Sequence, residues 1–139
     1  MMIGRELETL EKPGTEDMSN RRVRLAVKDL SIKPKDHTPL LEDINFEIHE
    51  GEVLGFAGVS DNGQQELCEA IYGGIPITSG KIELDGEDVT NESVKDRIKL
   101  GMGYAAADRY RYGMVAEMSM SENMLLKSSY LNKWVNHGL

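Results

Sequence analysis

The spacing of hydrophobic and polar residues changes several times along the chain, and each change marks a new element. From Val23, apolar Val23, Leu25 and Val27 alternate with Arg24, Ala26 and Lys28, the period of a half-buried strand. A loop holding Pro34 and Pro39 follows. A second alternating run then sets Ile44, Phe46 and Ile48 against Asn45, Glu47 and His49. Two such runs separated by a loop predict an antiparallel pair with one face in water. After the turn His49-Glu50-Gly51-Glu52 the alternation stops. The unbroken apolar run Val53-Leu54-Gly55-Phe56-Ala57 predicts a strand buried on both faces of a parallel sheet. It leads directly into Gly58-Val59-Ser60-Asp61-Asn62-Gly63. Beyond Gly63, Leu67 and Ile71 lie four apart with Cys68 and Ala70 beside them, which predicts a helix with one buried face, stopped by Gly73-Gly74.

Further along, Ile82 and Leu84 point inward within Lys81–Asp85, and Asp85-Gly86 marks a tight turn. Ser93 and Asp96 resemble a capping box with a shorter acid than usual; Val94 and Ile98 supply the helix face and Gly101 its end. Gly103 to Ala107 predicts a short strand of small residues leading into Asp108-Arg109-Tyr110-Arg111. Ser119-x-x-Glu122 is a fuller capping box, opening a helix that carries Met124, Leu125 and Tyr130. Residues 1 to about 20 are polar, contain Pro13-Gly14 and read as a tail or linker. No internal repeat is visible.

Composition narrows the function classes. A chain of 139 residues can bury a real core and has the ordinary size of one domain. Its 24 acidic residues exceed its 16 basic ones, giving a net charge of −8, which argues against a nucleic-acid surface. The basic cluster Arg21-Arg22-Val23-Arg24 reads as the solvated flank of a strand. Cys68 is the single cysteine, so no intrachain disulfide can form. No apolar run approaches the roughly 20 residues needed to span a bilayer, and Met1–Leu7 has no signal-like apolar core. The reading is therefore cytoplasmic, with any membrane association made through a partner protein. His37, His49 and His137 lie far apart without metal-ligand spacing, and the 8 methionines read as core filler and helix faces.

Candidate chemistry concentrates in the loop between the apolar run and the helix. A helix start leaves backbone N–H groups unpaired and concentrates partial positive charge, so it attracts phosphate. The nucleotide-binding form is Gly-x-x-x-x-Gly-Lys-[Ser/Thr], in which the Lys reaches the terminal phosphates and the hydroxyl holds Mg²⁺. Here the frame Gly58-x-x-x-x-Gly63 is kept, but Gln64 and Gln65 stand where the Lys and the hydroxyl belong. On spacing alone, two glycines five apart are equally well read as shaping a strand-to-helix turn. The candidate phosphate-binding residues are Gly58, Val59, Ser60, Asp61, Asn62, Gly63, Gln64 and Gln65. No catalytic and no metal-binding residue is assigned.

The flanking sequence is more specific. Leu41-Glu42-Asp43-Ile44-Asn45-Phe46-Glu47-Ile48-x-x-Gly51-Glu52 through Gly58 resembles the approach to the phosphate loop in ATP-binding cassettes. Gly58 through Gln65-Glu66-Leu67 resembles the altered loop found in the second cassette of tandem-cassette importer subunits for ribose-type sugars and nucleosides. Ser79-Gly80-Lys81-Ile82-x-Leu84-Asp85-Gly86-x-Asp88-Val89 is similar to the family hairpin. Gly103-Tyr104 to Asp108-Arg109, Gly113-Met114-Val115 and Ser121-Glu122-Asn123-Met124-x-Leu126 are similar to the switch segment joining its two lobes. Met2-Ile3-Gly4-Arg5-Glu6-Leu7 looks like the closing signature of a first cassette.

The resemblance implies an α/β fold: a partial P-loop NTPase core of the ABC ATPase kind with an antiparallel β subdomain, truncated before the signature and Walker B segments. It implies that residues 1–20 are the tail of a preceding cassette and a linker. Residues 21–139 would be the N-terminal part of a nucleotide-binding domain whose helical subdomain begins near residue 119. The implied ligand is ATP. The implied partners are transmembrane permease subunits, the companion cassette and, indirectly, an extracytoplasmic substrate-binding protein, at the inner face of the cell membrane. Several departures weaken the nucleotide site: Asp61 replaces a usual Gly, and Ala107 replaces the acid or amide that senses Mg²⁺. No aromatic lies between Leu30 and Leu41 to stack on adenine. A charge-assisted hydrogen bond contributes roughly 1.5–3 kcal/mol, so loss of the Lys alone weakens binding about 10- to 100-fold. With Mg²⁺ binding doubtful and the signature, Walker B strand and switch His all absent, this chain is expected not to hydrolyse ATP. Three functional readings stay open: a nucleotide-binding coupling module, an interaction domain that no longer binds nucleotide, and an unrelated phosphate-binding enzyme such as a small kinase, which would need the phosphate-clamping Lys this loop lacks. Because a Val53–Ala57 strand would lack neighbours, the chain is also expected to dimerise.

Overall fold

The computed structural model describes residues 20–33, 40–59 and 62–126. The linker and closing-signature readings on residues 1–19, the Pro34–Pro39 loop, Ser60, Asp61 and everything after Leu126, Tyr130 and His137 included, lie outside the described residues. The chain divides into two compact units with a boundary after Ser93.

The first unit is built on an antiparallel sheet of order β2-β1-β3-β4. Its strands are β1 (Val23–Ile32), β2 (Leu41–His49), β3 (Ser79–Leu84) and β4 (Glu87–Asp88). β1 lies at the centre, pairing antiparallel with β2 (Val27↔Phe46) and with β3 (Val27↔Ile82). The predicted antiparallel pair is therefore present, and β3 extends it. Both φ angles of the β3–β4 turn are positive, +54° at Asp85 and +84° at Gly86, as a type I′ hairpin requires.

Simple alternation does not hold along the whole of β1. Continuing the inward set Val23, Leu25, Val27 would bury Asp29, yet Asp29 is exposed and the buried residues are Ala26, Val27, Leu30, Ser31 and Ile32, Ala26 lying on the face expected to be open to water. The cause is an irregularity at Asp29, whose φ is +50°, where the register shifts against both neighbouring strands. The Asp29 N–H donates to Asn45 Oδ1 at 2.8 Å in place of a ladder partner. The shifted backbone presses on Gly80 (φ +102°), where a Cβ would meet Asp29 O at 2.5 Å and Leu30 Cα at 2.6 Å. Only glycine fits that approach. Ser31, buried at the same place, accepts the Asp43 N–H through Oγ at 3.0 Å.

Helix α1 (Gln64–Tyr72) covers one face of this sheet. Leu67 and Ala70 are buried and join Val27, Leu30, Ile32, Leu41, Ile82 and Val89 in the core, with Ile71 packed against it. The predicted helix and its buried face are thus observed, except that Cys68 is exposed. Its end follows the predicted glycine stop: the Gly73 N–H donates to Ala70 O and the Gly74 N–H to Glu69 O, the paired bonds of a Schellman cap.

The buried strand expected at Val53–Ala57 is not formed. Residues 52–58 have no regular structure, Val53 is 95% exposed, and Leu54 and Phe56 are also open to solvent. No strand among the described residues pairs with this run, and an apolar strand without ladder partners has no reason to be extended and hydrogen-bonded. The Phe56 ring packs edge-on against Phe46, with centroids 5.1 Å apart.

In the second unit, α2 (Val94–Lys99) ends as expected, the Gly101 N–H bonding to Ile98 O and the Met102 N–H to Arg97 O. Its buried residue is Arg97 rather than the expected Val94 and Ile98, which are half-buried. The strand predicted over Gly103–Ala107 is likewise missing. Its residues alternate between half-buried and exposed as a strand's do, but no described strand pairs with them. The charged segment after it forms a π-helical turn, Arg109–Gly113, which the sequence pattern did not indicate. Helix α3 (Met120–Leu126) carries the full capping box: Ser119 N–H to Glu122 Oε2 at 2.8 Å and Glu122 N–H to Ser119 Oγ at 3.3 Å.

Candidate functional site

The glycine-bracketed loop leaves the apolar run at Gly58 and enters α1 at Gly63. Gly63 is the N-cap residue, with φ +91° and ψ −2°, and among the described residues no side chain caps the helix. It is buried against the start of β2: a Cβ there would meet Leu41 Cδ2 at 2.7 Å and Leu40 O at 3.1 Å. The start of α1 is thereby fixed to the sheet through a contact that tolerates no side chain.

The first intrahelical hydrogen bond runs from Leu67 N–H to Gly63 O at 2.9 Å. The N–H groups of Gln64, Gln65 and Glu66 therefore make no bond within the helix and lie at the positive end of its dipole. This is the donor set a phosphate would use. Glu66 in the same first turn places a carboxylate close by and works against an anion.

The two glutamines behave differently. Gln65 Nε2 donates along the helix to Glu69 Oε1 at 2.8 Å, so this side chain is engaged on the helix surface. Gln64 turns back over the loop: its Oε1 accepts the Asn62 N–H at 3.1 Å and its Nε2 donates to Val59 O at 3.2 Å. Of the eight candidate residues, the structure brings together Gly58, Val59, Asn62, Gly63 and Gln64 and turns Gln65 away. Ser60 and Asp61 are outside the described residues. The fold-back of Gln64 was not anticipated; the signal available was a long amide placed directly after the loop, able to donate and accept at once.

Phosphate and metal fare differently in a test of fit. The amides at the start of α1, which make no bond within the helix, suit phosphate oxygens. Mg²⁺ needs hard oxygen ligands of fixed octahedral geometry. The position that would supply a hydroxyl holds Gln65, already bonded to Glu69. Among the described residues no group of three or more His, Cys, Asp or Glu could hold a metal ion. The described residues of the loop do not fit Mg²⁺.

At the start of the π-helical turn, Ala107, Asp108, Arg109, Tyr110 and Met114 line an open recess of about 550 Å³. Asp108 caps the turn, its Oδ1 accepting the Arg111 N–H at 3.0 Å, and the Arg111 guanidinium lies 5.4 Å from the centre of the Tyr112 ring. Asn123 then clamps the chain before α3, accepting the Val115 N–H at 2.7 Å and donating to Val115 O at 3.0 Å. Elsewhere, His49 N–H and Nδ1 both contact Glu52 Oε2 and hold that carboxyl below its ordinary range. Partial burial raises the Cys68 thiol, with Glu69 adding to the effect. Neither carries a reactive arrangement.

A glycine-bracketed loop entering a helix packed on a sheet is the arrangement with which α/β domains hold nucleotide phosphate, although here an unpaired apolar run stands where their strand would lead into the loop. The model of the ABC transporter family matches residues 41–137, from the start of β2 onward, and the chain belongs to that family. It is 36% identical over its whole length to a protein of Albidiferax ferrireducens described as a ribose/galactose/methyl galactoside import ATP-binding protein. It is 32% identical, over 94% of its length, to the nucleoside import ATP-binding protein NupA of Lactococcus lactis. The chain spans about a quarter of these relatives, 26% and 25% of their lengths. A crystal structure of a nucleotide-free ATP-binding cassette from an ABC transporter shares the fold, with a TM-score of 0.53 and 19% identity over 57% of this chain and 31% of the other. No helix among the described residues is long and apolar enough to cross a membrane.

Proposed function

We propose that this chain is part of the ATP-binding subunit of an importer for simple sugars or nucleosides, and that it belongs to a cassette with a degenerate phosphate loop. The observation that carries the reading is the start of α1. Its first amides, unbonded within the helix, follow a Gly58-to-Gly63 frame whose position against β2 is fixed by Gly63. The family match and the relatives' names supply the transport context. Phosphate groups would bind to the amides of Gln64, Gln65 and Glu66, without the Lys and without a bound Mg²⁺. Residues 1–20 would be the end of a preceding cassette and a linker. The partners would be permease subunits and a companion cassette on the cytoplasmic face of the membrane. The exposed Val53–Phe56 run would promote self-association of the isolated chain, which Phe56→Lys should reduce in sedimentation equilibrium.

A second reading, an interaction domain that has lost nucleotide altogether, is favoured by the Gln64 fold-back and by Ala107. Titration of the isotopically labelled chain with ATP, with and without Mg²⁺, separates the two. The first expects weak binding at about millimolar ligand, with amide shifts from Gly58 to Gln65 and no dependence on Mg²⁺. Silence of those amides at every concentration selects the second. ATP turnover is expected in neither case.

A further inference from the structure

The residue that replaces the phosphate-clamping lysine reaches several points of the loop with one carboxamide. Gln64 Oε1 accepts the Asn62 N–H at 3.1 Å, and Nε2 donates to Val59 O at 3.2 Å. A Cβ built on Gly58 would collide with the same Nε2, so the group also lies against the first glycine of the frame. A lysine cannot do this, because an ammonium has donors but no acceptor for the Asn62 N–H. The carboxamide oxygen therefore takes up a loop amide that an anion would otherwise use.

We propose that Gln64 is a built-in occupant of its own loop, an autoinhibitory contact. The Asn62 amide and the space over Gly58 become available to phosphate only when the Gln64 side chain swings out. This rests on the reading that the loop receives phosphate at all. Two exposed hydrogen bonds, each at the weak end of the ordinary net strength, hold the occupied state. The apparent affinity for a phosphate ligand falls by the fraction of molecules in which they are broken, about three- to tenfold.

The test compares the labelled wild-type chain with Gln64→Ala, Gln64→Lys and Gly58→Ala, using magnesium-free inorganic triphosphate as the probe. Without ligand, Gln64→Ala should shift the Asn62 amide resonance and speed its hydrogen exchange. Gly58→Ala should do the same at Asn62 while keeping the glutamine, because the added methyl crowds the carboxamide out. With ligand, Gln64→Ala should bind triphosphate about three- to tenfold more tightly than wild type. Equal or weaker binding by Gln64→Ala, with both proteins saturating, overturns the proposal and leaves phosphate binding intact; Gln64 would then be a ligand donor. An Asn62 amide unchanged in both Gln64→Ala and Gly58→Ala overturns it as well. No shift from Gly58 to Gln65 in any variant, Gln64→Lys included, up to millimolar triphosphate overturns the phosphate-binding reading itself, and the occupant role falls with it.

Discussion

β1 and the run Val53–Ala57 are both apolar enough to be strands, yet only one of them is. β1 has neighbours on both edges, β2 and β3, and its Val27, Leu30 and Ile32 are buried against α1 and Ile82. Val53–Ala57 is the more hydrophobic by sequence, but it has no ladder partner among the described residues and its side chains are exposed. Strand formation follows from available partners more than from composition. Backbone groups must be paired, and the favourable surface term is gained only against another face. The Gly103–Ala107 segment repeats the lesson: it keeps a strand's alternation without a strand's hydrogen bonds.

Truncation in the two regions tests this contrast most strongly. Ile82 and Leu30 are 0% exposed at the centre of the core, so Ile82→Ala or Leu30→Ala should destabilise the fold by about 2–5 kcal/mol in urea unfolding. Val53→Ala should change stability by no more than about 0.5 kcal/mol. A loss at Val53 comparable to that at Ile82 would mean the run is paired in solution and would break the comparison.

A smaller effect is expected where the backbone itself makes the sheet. Gly80→Ala places a methyl against Asp29 O and Leu30 Cα at a φ of +102° and should cost about 1–3 kcal/mol. Gly103→Ala meets nothing within 4 Å in the unpaired segment and should be close to neutral. Equal costs at both positions would show that the close approach of β3 to the Asp29 irregularity is not maintained.

These positions also show what the sequence could and could not convey. Local signals were readable. Asp85-Gly86 encodes its turn because both positions need positive φ, and Ser119 with Glu122 encodes a capping box because each side chain satisfies the other's backbone N–H. The helix after Gly63 was readable from the four-residue spacing of Leu67 and Ile71, and the family likeness from the run Leu41–Leu67. What could not be read depends on residues distant in sequence. The switch of face at Asp29 requires Asn45 and Gly80 to be in place, and the absent strand at Val53 requires knowing which partners are there. The candidate loop was legible as a frame, Gly58 to Gly63. The orientation of Gln64 was not, because a side-chain rotamer is set by neighbours that the one-dimensional pattern does not rank.

Ser119→Ala carries the comparison into the second unit, where order comes from local bonds. Removing the cap should cost about 1 kcal/mol, read as faster amide exchange from Met120 to Asn123. The unfolding midpoint of the sheet should stay unchanged. A matching shift of the sheet midpoint would show that the two units unfold together.

The smallest effect is electrostatic and lies on the exposed face of the sheet. Glu83 accepts from Lys28 Nζ and from Lys81 Nζ, each at 2.7 Å, and these contacts hold its carboxyl below the ordinary value of 4.5. In the unfolded chain the same group titrates normally, so between the two pKa values the unfolded state binds more protons. The stabilisation is therefore fully present above the ordinary carboxylate value and is lost as pH falls through the folded-state pKa. Glu83→Gln should lower the urea midpoint slightly near pH 7 and at low ionic strength. The gap from wild type should close as the pH falls through the folded-state pKa, and it should shrink in high salt, because exposed pairs are screened. A gap that persists unchanged under acid would place the role of Glu83 in packing, leaving the paired sheet to be held by its backbone and core alone.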